Sequence, residues 1–180
     1  MAQQSSKQIA GTGANDSSVG TVSWTSPTAI SADDSNPAAA NTLSNGDQSY
    51  YLKATNFGFN IPSDSVILGI FVEANAMDPT DFDDLRDESV RLVKGGSIQG
   101  DDKAAGNALP VQALSGTNIE SWGGSSDLWG TPLDPSDVNA SDFGVVISYQ
   151  SYSSLGSPNI DAIWITVYYD TPGRGFAEFF

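Results

Sequence analysis

The densest cluster of oxygen ligands in the chain runs from Asp78 to Glu88, eleven residues that hold six carboxylates (Asp78, Asp81, Asp83, Asp84, Asp87 and Glu88). Carboxylates at alternating positions of a loop can converge on Ca²⁺, and Asp81 and Asp83, with Asp84 beside them, have that spacing. The segment lacks the central glycine and closing glutamate of an EF-hand loop, so a solvated acidic loop competes with the metal reading. Carboxylates can also hydrolyse glycosides when two of them face each other across a sugar. Glu73 and Glu120 are the acids in strand-like surroundings. Trp122 and Trp129 lie seven residues apart in a glycine-rich stretch. They are the candidate glycan contacts, because exposed aromatic faces stack on sugars; the competing reading has them capping the end of a sandwich core. The stretch Gly95-Gly96-Ser97-Ile98-Gln99-Gly100 is not a phosphate cradle, since no Gly-Lys-Ser or Gly-Lys-Thr follows and no helical pattern begins there. Hairpin turns account for it better.

Composition narrows the chemistry further. The 180 residues include 22 acidic and 7 basic ones, a formal net charge of −15, with neither histidine nor cysteine. A Ser-His-Asp triad, a thiolate nucleophile, and ordinary zinc, haem or iron–sulfur sites all need an imidazole or a thiolate. A non-enzymatic role is therefore expected, without a cofactor apart from the candidate Ca²⁺. Nucleic acid and anionic membranes are not expected partners, because binding them takes a basic surface. The charge is also unevenly placed. Between Ala104 and Gly173 there is no Lys or Arg, while Glu120, Asp127, Asp134, Asp137, Asp142, Asp161 and Asp170 all fall there. These acids should face solvent, bind cations, cap turns or pair with a basic group of another chain. Met1 to Ala10 carries no apolar signal-like region, which suggests synthesis in a cytoplasm and gives the sequons at Asn15 and Asn139 little weight.

The elements that must position these groups are strands. Residues 1–20, with only Ile9 and Val19 as large aliphatics, read as a polar N-terminal arm. Residues 21–170 break into short apolar runs punctuated by Gly, Pro, Asn, Asp and Ser, the texture of an all-β domain. Strands are expected at Thr21–Trp24, Thr28–Ile30, Gln48–Phe57, Val66–Ala76, Glu88–Val93, Ser97–Gln99, Asn118–Trp122, Phe143–Gln150 and Ile160–Asp170, with Ser31–Asp47 a long polar connection. In Val66–Ala76 the even positions (Val66, Leu68, Ile70, Val72, Ala74, Ala76) form a core face. The odd positions turn from apolar to polar, as in a strand that emerges at a sandwich edge. The expected fold is a single antiparallel β-sandwich of the jelly-roll type. Residues 171–180 form a Phe-rich tail in which Arg174, Phe176, Phe179 and Phe180 are the candidate partner-binding residues, because exposed apolar patches usually have a use.

Several phrases occur in order: Gly20-Thr-Val-Ser-Trp24, Tyr51 to Pro62 (YLKATNFGFNIP), Ile67-Leu-Gly-Ile-Phe-Val72, Asp87-Glu-Ser-Val-Arg-Leu92, Leu128-Trp129-Gly130 and Ile160 to Tyr169 (IDAIWITVYY). Together, over roughly Gly20 to Asp170, they resemble the jelly-roll or β-sandwich modules of tailed-bacteriophage virion proteins. The resemblance implies a virion protein assembled in the host cytoplasm, often trimeric, and joined to the particle by extended termini. Two roles fit it. One is a capsid decoration or cement protein bound to the major capsid protein and to copies of itself; the other is a tail or fibre module that binds host-surface carbohydrate through Trp122 and Trp129. A chain of this length with one expected domain suits the first.

Overall fold

Backbone polar groups in a chain so poor in helical periodicity must be satisfied between strands, and the sequence supplies β-branched and aromatic residues in runs long enough to do so. The computed structural model describes residues 2–79, 85–109, 119–152 and 155–171. Its strands are β1 (Ala2–Gln4), β2 (Gln8–Ile9), β3 (Thr12–Asp16), β4 (Trp24–Thr25), β5 (Ala38–Ala40), β6 (Tyr51–Thr55), β7 (Val66–Met77), β8 (Leu85–Lys94), β9 (Ser97–Gln99), β10 (Ile119–Gly123), β11 (Gly144–Ser151) and β12 (Asn159–Asp170). Two single turns of helix, Pro27–Ile30 (3₁₀) and Pro135–Val138, interrupt them.

The strands form two antiparallel sheets packed face to face. One is ordered β10-β7-β12-β5-β4, with β1 and β2 also on the edge of β12; the other is ordered β3-β6-β11-β8-β9. The pairing is nested. Strand β5 pairs with β12, β6 with β11, β7 with β10 and β8 with β9, as if one long hairpin had been folded about β8 and β9. Rolling that hairpin brings β7 against β12 and β8 against β11, which joins the four pairs into two sheets. That is the jelly roll expected from the sequence.

The core fills the space between the sheets with Ile70, Val72, Ala74 and Ala76 of β7, Ile163, Ile165 and Val167 of β12, Val90 and Leu92 of β8, and Val145, Ile147 and Tyr149 of β11. Each Val, Leu or Ile among them contributes about 1.5–3 kcal/mol on burial, and β7 and β12 together supply five of these side chains. Two bulges correct the expected alternation on β7 and β12. Tyr168 pairs with Gly69 but Tyr169 with Ile67, so Leu68 is an extra residue and the phase inverts below it. Ile67 therefore enters the core while Val66, expected to be buried, is 58% exposed. At the other end Asp161 is the extra residue on β12, between Ile160 and Ala162. There Asn75, expected to emerge into solvent, is buried.

The N-terminal segment is not an arm. β1 and β2 pair with the open edge of β12, and β3 pairs with β6 of the other sheet, so residues 2–16 cross from one sheet to the other. Backbone pairing along an edge needs few apolar side chains, which is why polar composition concealed it. Gly13 lets the Pro27–Ile30 turn seat on β3, because a Cβ there would meet the Pro27 carbonyl. Thr28–Ile30, expected as a strand, belongs to that turn. The connection Ser31–Asp47 contains strand β5, three alanines whose low β-propensity hid them. The C-terminal tail, with Arg174, Phe176, Phe179 and Phe180, lies outside the described residues, as do Asp81, Asp83 and Asp84.

Candidate functional site

Strands β8, β10 and β11 bring four polar side chains together between the sheets. Tyr149 pairs with Asp87 across a bulge that leaves Glu88 as the extra residue, and this turns Asp87 into the sandwich. Opposite them, β10 presents Glu120 and Trp122, two residues apart and so on one face. The Trp122 indole N–H donates to Asp87 Oδ2 at 2.9 Å. Asp87 also accepts from the backbone N–H of Ala105 (2.8 Å) and of Asn107 (2.8 Å), so both of its oxygens are engaged and the loop after β9 is fastened to the core. The Tyr149 hydroxyl donates to Glu120 Oε2 at 2.7 Å. Tyr149 is fully buried, and the Trp24 ring meets its edge at a centroid distance of 6.3 Å.

Burial dominates the electrostatics of this cluster. It pushes the Glu120 carboxyl up to about 8; the Tyr149 hydrogen bond opposes the rise and the Asp87 charge adds to it. Burial also raises the Tyr149 phenol well above its ordinary range, with the Glu120 carboxyl adding to the effect. Near neutral pH Glu120 is therefore largely protonated, the state in which it fits a half-buried site beside a buried carboxylate. A raised carboxyl is the kind of group that serves as a general acid. Here its hydrogen-bond partner is a core tyrosine, and the cluster clasps β10 of one sheet to β8 and β11 of the other.

The residues singled out by sequence are dispersed. Glu73 and Glu120 lie on opposite faces of the seven-stranded sheet: Glu120 points inward, whereas Glu73 forms an outer ion pair with Lys7 at 3.0 Å. They cannot flank one sugar. Trp122 is 5% exposed and Trp129 is 0% exposed. The Trp129 indole N–H donates to the Ile70 carbonyl at 3.0 Å, and its backbone N–H donates to Asp127 Oδ1 at 2.8 Å. Both indoles are core residues, as the core-capping reading has it, and they present no face to a glycan, so Trp122 and Trp129 are not sugar contacts. Their surroundings of Gly, Ser and Asp read as a surface loop, and the acceptors that hold them inside, Asp87 and the Ile70 carbonyl, are far away in sequence.

Two of the acids in the stretch without Lys or Arg find basic partners across the fold. Lys94 bonds Asp137 at 2.9 Å and Lys103 bonds Asp127 at 3.0 Å, within this one chain. The two sequon asparagines act as backbone clamps. Asn15 accepts from the Trp24 N–H (2.8 Å) and donates to the Trp24 carbonyl (2.9 Å), while Asn139 does the same for Ile61 (2.8 and 2.9 Å). Among the described residues no three His, Cys, Asp or Glu side chains converge as a metal site, and no helix is long and apolar enough to cross a membrane. Two open grooves are lined by polar groups, one by Ser63, Ser65, Asp134 and Asn139, the other by Gln4, Ser6, Gln8, Asn60 and Tyr169. In comparisons with protein-family models, curated proteins and solved structures, nothing matches this chain.

Proposed function

We propose that this protein is a non-enzymatic structural component of a tailed-phage particle: a capsid decoration or cement protein that binds the head shell, contacting the major capsid protein and neighbouring copies of itself as a trimer. The observation that carries the reading is the nested eight-strand roll, from β5 to β12, in a chain of net charge −15. Jelly rolls recur in viral shell proteins and in lectins. Because a fold by itself leaves function open, the side chains must decide between the two. The indoles a lectin-like reading would use are inside, which favours the shell reading. A strongly acidic coat keeps a protein displayed in many copies soluble.

Binding to the shell then falls to the least charged parts of the surface. Arg174, Phe176, Phe179 and Phe180 are the proposed contact residues. Strand β12 ends at Asp170, which pairs with Val66, and Val66 is 58% exposed, so an apolar side chain stands on the surface at the end of the last strand. The test is the copy number on purified particles, measured by quantitative mass spectrometry with the full chain and with a chain ending at Asp170. The full chain should be present in hundreds of copies and the shortened chain should be lost. Absence from particles, a copy number of a few to a few tens, or full occupancy by the shortened chain would overturn the proposal.

A further inference from the structure

A second polar cluster lies on the outer face of the seven-stranded sheet, at the bulge on β12. Asp161, the extra residue there, is 1% exposed, and its Oδ2 accepts from the Ser35 N–H at 2.9 Å. Asn75, the partner of Ala162 on β7, is also 1% exposed, and its Nδ2 donates to Asp33 Oδ1 at 3.0 Å. Asp33 stands on an exposed segment, and its carboxyl also lies against that of Asp161. Segment 33–36 thus covers Asn75 and Asp161, and Ser35 takes a left-handed backbone (φ 66°) to reach Asp161.

Donors and acceptors do not balance here. Asp161 Oδ1 and Asn75 Oδ1 are both buried with no hydrogen-bond partner, a situation that native interiors rarely tolerate. Asp161 Oδ1 belongs to one of two adjacent carboxyl groups, and the other, that of Asp33, opens to solvent. Two carboxylates and an amide carbonyl, with an open side for water, are the donor set a hard divalent cation takes. We propose that Asp33, Asn75 and Asp161 form a binding site for a hard divalent cation of the calcium class, which clamps segment 33–36 onto the outer face of the sheet. The ion supplies the positive partner that the two oxygens lack and removes the repulsion between the carboxylates. These ligands are far apart in sequence and distinct from Asp81, Asp83 and Asp84, which the sequence put forward for calcium.

The experiment is thermal unfolding of the full chain at neutral pH, with Ca²⁺ or with EDTA, for the wild type, Asp33→Asn and Asp161→Asn. Both substitutions keep shape and remove charge, and Asp33 is exposed, so its variant folds even if the Asp161 variant does not. Ca²⁺ about a hundredfold above its Kd should raise the wild-type Tm by roughly 5–10 °C, and both variants should lose most of that rise. A wild type indifferent to Ca²⁺, or a rise that survives intact in Asp33→Asn, would overturn the site. So would a protein stabilised only by lowering the pH, since the two carboxyls would then share a proton in place of an ion.

Discussion

The two buried acid clusters differ in how completely the protein answers them. Inside the sandwich, Asp87 receives three N–H donors from Ala105, Asn107 and Trp122, and Glu120 is held near neutral charge by burial. On the outer face, Asp161 receives the Ser35 N–H on one oxygen and leaves the other without a donor. A carboxylate whose hydrogen bonds are all made is part of the scaffold. One that is buried and only half answered is a place for something else, and the fold puts it on an outer sheet face beneath segment 33–36, whose Asp33 is exposed. What separates the clusters is saturation, since both are acidic and both are buried.

The largest effect that could break this contrast is the loss of Asp87. Asp87→Ala should destabilise by about 3–5 kcal/mol, because it strands the buried Trp122 N–H and frees the loop held through Ala105 and Asn107. In EDTA, Asp161→Asn should cost less than about 1 kcal/mol or stabilise, since it removes a charge the protein leaves uncompensated. Urea unfolding of the two variants checks this. Equal costs would mean that saturation does not distinguish the clusters.

Glu120 sharpens the contrast through pH. Its folded value of about 8 lies above the ordinary 4.5, so the protonated form is the one the fold favours. That contribution is complete below pH 4.5 and is lost as pH rises from 4.5 to 8. Glu120→Gln stays neutral throughout and can still accept from Tyr149. It should be within about 1 kcal/mol of wild type at the acid end and about 2–4 kcal/mol more stable at the alkaline end. A difference that does not change with pH would show Glu120 to be ionised and solvated.

Much of the roll was legible because β7, β8, β11 and β12 are long and apolar, and β-branched residues in such runs suit few other structures. The side-chain phase within them was less legible. One extra residue at Leu68 and another at Asp161 each reverse which face is buried, and nothing local announces a bulge. Strands β1 to β3 and β5 escaped notice because edge pairing asks for backbone groups more than apolar side chains. The clusters escaped for a different reason. Asp87 and Trp122 are 35 residues apart, and Asp161 and Ser35 are 126 apart. Each is an ordinary polar residue until the nested pairing sets them side by side, so local density could bring Asp87 into view within the Asp78–Glu88 run but not its partners Trp122, Ala105 and Asn107.

The smallest expected effect lies closest to the outer cluster. Lys7, between β1 and β2, bonds Glu73 at 3.0 Å and stands 4.3 Å from the centre of the Trp164 ring, with its side chain 41% exposed. Such an exposed pair is worth about 0.5–1 kcal/mol with its cation–π contact and fades with salt. Lys7→Ala should cost about that much in dilute buffer and roughly nothing near 1 M salt, where screening shortens to ~3 Å. The Asp87 penalty, set by buried hydrogen bonds, should persist at both. A Lys7 loss of several kcal/mol that resists salt would mean that this contact anchors the whole N-terminal segment, and that the outer face is as tightly built as the interior.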